Sequence, residues 1–340
     1  MHKKITLKEL AVISNFSVST ISKALSGNKE ISEETRKKIT SIAKFYNYRP
    51  NAAARSLKSQ KTKTIGVIIP NILAHYFAKV LVGIEHEASR SGYNIITCIS
   101  DESYLKEAKS MGMLASGSVD GFLISLSKET QMKNKYNHIT ASIDNGLPVV
   151  MFDRTSNKVD CDKVIINDFE AAYHATNVLL NSSCKKVIFI SPIADTNVGL
   201  ERANGYAQAI TDFFKGTVTP LIYNFTDYSQ ATLDLENIIT TPKIDGIITS
   251  DELSAIFSMN IAISKGYKIP RDISIIGFTD GILSKNSNPP LTIVNQNETE
   301  LGKIAAANLI KRIENKSSES YTTQIVETNL VYRKSINMTL

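Results

Sequence analysis

A regular alternation of short apolar runs with longer helical patterns starts at Thr64 and constrains the fold of this 340-residue chain most strongly. Each run is continuous in apolar residues, which is typical of parallel strands that are buried on both faces. The segments between them carry an apolar helical stripe, as in Phe77–Ser91 before Gly92. The pattern predicts a doubly wound α/β fold. The predicted strands are Thr64–Pro70, Asn94–Ser100, Asp120–Leu126, Pro148–Asp153, Lys163–Asn167, Lys186–Ser191, Leu221–Asn224, Asp245–Ser250 and Ile273–Phe278.

The alternation runs twice, which predicts two similar lobes. The segment after the second repeat holds two short strand patterns and one helix near Glu298–Glu314, which is too little for a third lobe. We therefore expect this segment to complete both lobes. The predicted domains are residues 1–49, a hinge and linker at 50–63, and a core at 64–340, with lobe 1 formed by about 64–163 plus 293–323 and lobe 2 by about 164–292 plus 324–340.

The N-terminal residues predict a separate all-helical unit. Thr6-x-x-Glu9 is a capping box that opens a helix ending near Ser14. Ser17 can cap a second helix through Leu25, with an apolar face for packing and with hydroxyls and Lys23 facing outward. Ser32 can cap a third. Two short helices joined by a turn at Asn15 predict a helix-turn-helix, whose second helix enters a DNA major groove.

Charge is distributed unevenly along the chain. Residues 1–63 hold 14 Lys/Arg and 4 Asp/Glu, a net charge of +10, whereas residues 64–340 hold 25 and 29, a net charge of −4. Clustered cations release counterions from phosphates, so nucleic acid is the first candidate partner of the N-terminal unit. An anionic membrane is the second candidate, but no basic amphipathic helix of useful length supports it.

A short segment follows the helical unit. Pro50 prevents the preceding helix from continuing, and Asn51 can cap Ala52–Lys58. Seven residues are fewer than the roughly 12–15 that an isolated helix needs in water, so we expect fraying in the free protein. Leu57, flanked by Arg55 and Lys58, has two interpretations. It inserts between base pairs as a minor-groove wedge, or it rests on the next domain as a linker leucine.

Polar residues follow many of the predicted strands. In open parallel sheets the ligand lies beyond the carboxyl ends of the strands, and two facing lobes form a cleft there. Aromatic rings, acids and an arginine suit a sugar or another polar ring. The alternative is that each strand-end acid only caps a helix. The candidates at strand ends are Tyr76, Phe77, Asp101, Asp153, Asp168, Arg202, Asp251, Thr279 and Asp280.

Several classes of protein are disfavoured by the sequence. Cys98, Cys161 and Cys184 are odd in number and widely spaced, so neither a disulfide framework nor a metal site is expected. Met1 leads directly into the capping box without an apolar signal segment, and no run approaches the roughly 20 apolar residues of a membrane span, so we expect a cytoplasmic protein. Phosphate-binding glycine loops, nucleophile elbows and zinc-protease motifs do not occur in the sequence, which disfavours an enzyme and a bound cofactor.

The whole sequence resembles the LacI/GalR family of bacterial transcription regulators. The resemblance implies a DNA-binding headpiece, a hinge helix and a core similar to periplasmic sugar-binding proteins. It also implies a homodimer that binds a near-palindromic operator. The segments that carry the resemblance are Ile5–Leu25, Ser32–Arg36, Tyr48–Leu57, Thr64–Asn71, Val119–Gly121, Pro148–Arg154, Arg202-x-x-Gly205-Tyr206, Pro270–Phe278, Pro290–Gln296 and Leu330–Arg333.

The resemblance also implies site residues. Base readers would be Val18, Ser19 and Lys23, phosphate contacts Ser17 and Thr20, and the minor-groove wedge Leu57 with Ala54 beside it. The family's strand-end motif Gly-Phe-Asp-Asp is here Gly277–Asp280, so Thr279 replaces the first acid. The DNA-binding candidates are Thr6, Ser17, Val18, Ser19, Thr20, Lys23, Asn28, Ala54, Leu57 and Lys58, and the effector-binding candidates are Tyr76, Phe77, Asp101, Asp153, Arg202, Asp251, Thr279, Asp280 and Gln296.

The expected mechanism is allosteric control of DNA binding. A small sugar-like effector in the cleft would change lobe closure, and closure would alter the spacing of the two Ala52–Leu57 segments in the dimer. Two alternatives remain at this stage: a sugar-binding protein without a DNA role, and a regulator whose co-effector is a phosphoprotein. No heptad tail follows Arg333, so we do not expect a tetramer of the tail-zipper kind.

Overall fold

The computed structural model describes residues 5–48, 61–182, 184–240, 244–315 and 320–337. The chain divides into two compact units, residues 1–62 and 63–340. The predicted hinge segment Ala52–Lys58, with the DNA-binding candidates Ala54, Leu57 and Lys58, lies outside the described residues.

The first unit contains three helices, α1 (Leu7–Ser14), α2 (Val18–Leu25) and α3 (Glu33–Phe45). The predicted caps explain where they begin: Thr6 and Glu9 form a reciprocal capping box, and Ser17 accepts a hydrogen bond from the Thr20 amide at 3.0 Å. Asn15 ends α1 in the left-handed conformation at φ 55°. The apolar faces meet in a core that includes Leu10, Ile21 and Ile39, all fully buried. The predicted helix-turn-helix is confirmed.

The second unit contains two sheets of six strands, described in strand order. Both sheets carry buried apolar residues on their two faces, as the continuous apolar runs predicted. The prediction is wrong for two strands, Asn94–Ile99 and Leu221–Asn224, which are largely exposed because each stands at the end of its sheet. Every pairing between described strands is parallel except that of Asn329–Val331 with Thr292–Asn295. The predicted doubly wound α/β fold is confirmed. The first sheet has the order β11 (Thr323–Val326), β5 (Asp162–Ile166), β4 (Val149–Phe152), β3 (Phe122–Ile124), β1 (Thr64–Ile69) and β2 (Asn94–Ile99), and the second β12 (Asn329–Val331), β10 (Thr292–Asn295), β9 (Ser274–Phe278), β8 (Gly246–Thr249), β6 (Val187–Ser191) and β7 (Leu221–Asn224).

The strand pairing moves the predicted lobe boundaries. The predicted first lobe ended at residue 163, inside β5, yet all of β5 pairs in the first sheet. Residues 293–295 were assigned to lobe 1 and 324–326 to lobe 2, but β10 pairs in the second sheet and β11 in the first. A continuous apolar run indicates a buried strand but not the sheet to which the strand belongs, so the lobe assignments of β10 and β11 were wrong. The chain therefore crosses between lobes near Asn167, at residues 296–297 and at residues 327–328.

Helices cover both faces of each sheet. One close crossing fixes the first lobe: a Cβ at Gly83 would lie 2.0 Å from the Thr299 oxygen, and one at Gly302 would lie 2.1 Å from the Val80 oxygen. Only glycine lets the helix that contains Gly83 and the helix that contains Gly302 approach each other so closely. The helices of the second unit are α4 (His75–Arg90), α5 (Tyr104–Ala115), α6 (Lys128–Lys133), α7 (Asn137–Asp144), α8 (Asp168–Asn181), α9 (Asn197–Phe213), α10 (Tyr228–Ile239), α11 (Glu252–Ser264), α12 (Ile282–Asn286) and α13 (Glu298–Asn315).

Candidate effector site and nucleic-acid interface

Arg202 on α9 is the centre of the candidate effector site. Its guanidinium is buried and donates three hydrogen bonds: Nε to Asp168 Oδ1 at 2.7 Å, one terminal nitrogen to the Ser250 carbonyl at 2.5 Å, and the other to Gln296 Oε1 at 2.7 Å. It also lies over the Phe278 ring, 4.1 Å from the centroid. The planar guanidinium carries five N–H groups in fixed directions, so it can donate hydrogen bonds to all three oxygen acceptors at once.

Two of the Arg202 partners lie where the chain crosses between lobes. Asp168 follows the first crossover and begins α8, and Gln296 belongs to the second crossover, between β10 and α13. One side chain therefore connects two of the three crossover segments with the end of β8. The cluster therefore ties the crossover segments to the second lobe.

Thr279 extends the cluster from the end of β9. Its Oγ1 accepts a hydrogen bond from Gln296 Nε2 at 2.8 Å, and its side chain is buried. The Thr279 backbone has φ 80°, a region that a β-branched residue seldom occupies. Its backbone amide donates to the Val294 carbonyl at 3.0 Å, so Thr279 is bound through both its backbone and its side chain.

The first lobe contributes Asp153 and Tyr76. Asp153 follows β4 with φ 58°, and its Oδ2 accepts a hydrogen bond from Ser125 Oγ at 3.2 Å. The Asp153, Asp168 and Tyr76 groups lie within electrostatic reach of one another and of Arg202. Burial raises the pKa of Asp153 and raises the pKa of Asp168 to about 6, although Arg202 lowers both. Burial, reinforced by the two carboxylates, also raises the pKa of Tyr76.

Two buried hydroxyl groups at this site have no partner at good hydrogen-bond geometry among the described residues, although the Tyr76 hydroxyl lies near enough to the Asp153 carboxylate to interact with it. They are the Tyr76 hydroxyl and Ser250 Oγ, on side chains whose residues are 9% and 0% exposed. Buried polar atoms are nearly always hydrogen-bonded in folded proteins. These two hydroxyls therefore retain hydrogen-bonding capacity at the cluster.

Four other predicted effector residues have different surroundings. Phe77 is buried in the core of the first lobe, with its ring edge-on to Tyr76 at 5.2 Å. Asp101 is exposed and pairs with Lys106. The structure gives the remaining two acids structural partners: Asp251 caps α11 by accepting from the Ser254 amide at 3.0 Å, and Asp280 pairs with Lys285 and Arg333.

The structure adds residues that were missing from the predicted effector set. Asp168 stood at a strand end in the sequence, and its place beside Arg202 follows from packing between α8 and α9. Ser125, Ser250 and Phe278 come from the ends of three other strands. A rule that includes every polar or aromatic residue within two positions of a strand's carboxyl end would have found all four.

Direct contacts join the two lobes. Lys79 of the first lobe donates to the Asp280 carbonyl of the second at 3.3 Å, and it also donates to Glu298 of its own lobe at 2.8 Å. A second pair of contacts joins α6 to the loop and helix that follow β6. These are the ion pair Lys128–Asp195 at 2.6 Å and the hydrogen bond from the Asn197 amide to Gln131 Oε1 at 2.8 Å. The described arrangement is therefore held by polar contacts between the lobes at Asp280 and at α6.

The candidate nucleic-acid interface lies at the start of α2. Ser17, Val18 and Ser19 are exposed there, with Val18 42% accessible. Lys23, one turn further along, pairs with Glu30 at 2.5 Å.

Several other DNA-binding candidates form hydrogen bonds with residues close to them in the chain. Ser17 and Thr20 share a hydrogen bond of 2.8 Å within the cap of α2. Thr6 belongs to the exposed capping box of α1, and Asn28 accepts from the Glu30 amide at 2.9 Å. The hydroxyls of Thr6, Ser17 and Thr20 retain acceptor and donor capacity for a phosphate, because each hydroxyl can make more than one hydrogen bond.

Known proteins match both units. Residues 6–51 match the family model of bacterial regulatory proteins of the lacI family, and residues 62–334 match that of periplasmic binding proteins and the sugar-binding domain of the LacI family. The ribose operon repressor of Haemophilus influenzae is 29% identical over 334 residues, which cover 97% of this chain and 98% of that protein.

Solved structures share the fold. The lac repressor dimer bound to operator and the anti-inducer ONPF is similar with a TM-score of 0.85 and 18% identity, over 98% of this chain and 99% of that one. A LacI family regulator from Enterococcus faecium with bound ribose is similar with a TM-score of 0.71 and 23% identity, over 80% of this chain and 98% of that one.

A helix-turn-helix unit followed by a two-sheet binding-protein-like unit defines a DNA-binding regulator with a sugar-binding-like domain. The chain belongs to the LacI family of bacterial transcription regulators, in which it is a DNA-binding transcriptional repressor. Among the described residues, no helix combines the length and the apolar character that a membrane span requires.

Proposed function

We propose that this repressor binds a near-palindromic operator as a homodimer and is controlled by a small sugar-like effector bound between the two lobes. The observation that carries the effector site is the Arg202 cluster, which joins two crossover segments and lies with the buried hydroxyls of Tyr76, near Asp153, and of Ser250, which has no hydrogen-bond partner in the described part of the chain. The Haemophilus influenzae relative is named for a ribose operon, and the Enterococcus faecium structure holds ribose, which supports a sugar-like ligand.

Effector binding acts through lobe closure. A ligand that hydrogen-bonds to Tyr76 in the first lobe and Ser250 in the second favours the lobe arrangement in which both hydroxyls reach it. Moving a two-state population from 1:99 to 99:1 requires about 5.5 kcal/mol of differential affinity. If each hydrogen bond that forms in only one lobe arrangement contributes about 1 kcal/mol, each of the two subunits must form two to three such bonds with the effector to reach this value.

The DNA-binding half of the proposal uses the exposed start of α2. Val18, Ser19 and Lys23 would read base edges in the major groove, while Thr6, Ser17, Thr20 and Asn28 would contact phosphates or position the helix. The net charge of +10 on residues 1–63 supplies the attraction to the duplex. Ala54, Leu57 and Lys58 lie outside the described residues. By family resemblance Leu57 would be the minor-groove wedge with Ala54 beside it, and Lys58 would contact phosphates next to it.

The homodimer would use the sheet edges of the second unit. Among the described strands, β2 and β7 stand at the ends of their sheets. Ile96 and Ile99 on β2 are 39% and 44% exposed, and Ile222 on β7 is 43% exposed. Apolar side chains on a sheet edge favour association, so a second copy of the chain is the partner we propose for these edges.

Operator selection from random duplex DNA, followed by footprinting, tests the DNA-binding half. The purified full chain should enrich a sequence with two-fold pseudo-symmetry and should sediment as a dimer. Enrichment of no sequence, or of a single asymmetric half-site by a monomer, would contradict the proposal.

The Arg202→Lys variant tests the effector half. Lysine retains the charge opposite Asp168 but loses the planar fork that reaches Ser250 and Gln296, so release from the operator by an effector should weaken at least about tenfold. Operator affinity without effector should stay unchanged. Arg271→Lys is the matched control, because Arg271 lies in the same lobe, is 65% exposed and pairs only with its neighbour Asp272 among the described residues. Equal effector responses in the two variants would place the effector elsewhere.

A further inference from the structure

A cavity of about 950 Å³ lies at the amino ends of the strands of the second lobe. It is lined by Val187 and Leu221, the first residues of β6 and β7, and by Ile244 just before β8. Arg202 reaches the opposite, carboxyl end of β8, where it donates to the Ser250 carbonyl. Because β6, β7 and β8 are parallel, the cavity and the candidate effector site lie at opposite edges of the second sheet.

The surface that an occupant of this cavity would contact is mainly apolar. Val218 and Leu221 are 40% and 37% exposed, and Phe214 and Tyr267 are half-buried. Exposed apolar side chains that share one concave site favour a ligand with an apolar body. The volume is within the range of about 300–1,000 Å³ that is typical of small-molecule sites.

A hydrogen-bonded tyrosine fixes the floor of the cavity. The Tyr206 hydroxyl donates to the Val187 carbonyl at 2.8 Å and accepts from the Leu221 amide at 3.0 Å, so it joins β6 to β7 where both strands begin. The Tyr206 ring is fully buried and stacks on Phe189, with 5.5 Å between the ring centroids. Since these contacts hold the floor in place, the cavity does not depend on a ligand for its shape.

The two acids that line the cavity are already bonded to other groups. The Asp245 carboxylate accepts hydrogen bonds from the Lys185 and Lys186 amides at 2.8 to 2.9 Å. Asp272 pairs with Arg271 at 2.9 Å. Both carboxylates therefore bind the chain next to them and offer no cation site to a ligand.

The cations of the lining leave a positive surplus. Lys265 pairs with Glu236 at 2.8 Å, whereas the ammonium groups of Lys185 and Lys186 form no ion pair with a described residue. The charged lining residues and their ion-pair partners comprise four cations and three carboxylates, a net charge of +1. Charge complementarity therefore favours an anionic group on the ligand, beside Lys185 and Lys186.

We propose that this cavity binds a free medium-chain fatty acid. The carboxylate of the ligand would pair with Lys185 and Lys186, and its alkyl chain would cover Phe214, Val218 and Leu221. The proposal concerns a second site in the second lobe and does not depend on the sugar-like effector proposed above.

Calorimetric titration of the full chain with octanoate and with octan-1-ol at about pH 7 tests the proposal. Both probes have the same number of carbons, and only octanoate is charged at this pH. We expect one octanoate to bind per chain and octan-1-ol to bind at least about fivefold more weakly, because only the carboxylate forms charge-assisted contacts with lysine. Equal affinities of the two probes, or no saturation by millimolar octanoate, would overturn the proposal.

The double variant Lys185→Gln/Lys186→Gln tests the role of charge. It should bind octanoate at least about fivefold more weakly and octan-1-ol as before, since glutamine is polar but uncharged. Lys109→Gln/Lys334→Gln is the matched control, because both of these lysines are exposed and neither lines the cavity. An octanoate affinity equal to that of the control would remove both lining lysines from the site and overturn the proposal.

The Val218→Glu variant tests the location of the bound octanoate. It adds a carboxylate to the exposed wall, so like-charge repulsion and the loss of apolar surface should weaken octanoate at least about tenfold. Leu233→Glu is the matched control, because Leu233 is 71% exposed on α10 of the same lobe and does not line the cavity. Unchanged octanoate affinity in a Val218→Glu protein that is folded by circular dichroism would place octanoate outside the cavity and contradict the assignment.

Discussion

Replacing Arg202 by methionine should destabilise the second unit by a predictable amount. Methionine fills much of the arginine volume but removes the three hydrogen bonds to Asp168, Ser250 and Gln296. Asp168 would then remain as a carboxylate in a site where only 8% of the residue is exposed. Breaking a buried ion pair by removing one partner costs about 3–5 kcal/mol, because the remaining charge is left without compensation.

The magnitude is large compared with the stability of the unit. Folded domains have free energies of unfolding of about 5–15 kcal/mol, so the loss would remove a third or more of a typical value. For a unit of this size, each kcal/mol corresponds to about 2–4 °C, and the melting temperature should fall by about 6–20 °C. The helical first unit, which lacks Arg202, should melt as before.

A double-mutant cycle separates loss of the ion pair from loss of packing. The Arg202→Met change leaves the Asp168 carboxylate without its partner, and Asp168→Asn removes that negative charge. We therefore expect the free energy of unfolding of the double variant Arg202→Met/Asp168→Asn to exceed that of Arg202→Met by at least about 2 kcal/mol. Circular dichroism in urea is the assay, since the chain contains no tryptophan. If the double variant is as unstable as the sum of the two single variants, the charge of Asp168 is not what Arg202 compensates, and the reasoning fails.

Three further predictions concern other parts of the chain. Burial raises the pKa of Asp168 from 3.8 to about 6, so the folded protein binds this proton more tightly than the unfolded chain does. The contribution of Asp168 to the free energy of unfolding should therefore fall by about 3 kcal/mol as pH rises from about 4 to 6. In urea titrations the Asp168→Asn variant should show a flatter dependence of the free energy of unfolding on pH. Gly83→Ala should cost more than about 2 kcal/mol in thermal unfolding, because the added Cβ meets a backbone oxygen of α13 at 2.0 Å, whereas Gly112→Ala on α5, where a Cβ meets nothing within 4 Å, should be neutral or stabilising. Glu30→Gln should release Lys23 from its ion pair, raise operator affinity by less than about tenfold and steepen its salt dependence by about one ion, and an unchanged salt slope in fluorescence anisotropy would contradict a role for Lys23 on DNA.

The parts of the fold that the sequence predicted are those set by local chemistry. The Thr6 capping box and the Ser17 cap place the headpiece helices, because both hydrogen-bonding partners lie within three residues. Buried parallel strands such as β6 at Val187–Ser191 follow from a continuous apolar run. β11 belongs to the first sheet because Thr323 pairs with Lys163, 160 residues earlier in the chain, and no local pattern encodes that choice. The pairing of β10 with β9 spans only 16 residues, from Ile276 to Thr292, but an apolar run does not indicate its sheet either.

The candidate site divides in the same way. Position at the carboxyl end of a strand identified Asp153 and Asp280 equally well. They differ because Asp280 finds Arg333, which lies 53 residues further along the chain, whereas Asp153 finds no described cation within ion-pair distance. A strand-end rule therefore predicts where polar groups gather, and only tertiary packing decides which of them stays available to a ligand.

The position of the Arg202 cluster explains why its residues are polar. Replacing a buried ion pair by apolar residues of similar volume is often neutral or stabilising, so stability alone does not account for Arg202 and Asp168. Their bonds have a narrow geometry, and Asp168 and Gln296 are attached to crossover segments that must rotate when the lobes move. An apolar cluster would tolerate a continuous range of lobe angles, whereas a hydrogen-bonded fork permits few arrangements. An effector that completes the hydrogen bonding of Tyr76 and Ser250 can then favour one discrete arrangement over the others, which is the condition for a ligand to shift a conformational equilibrium.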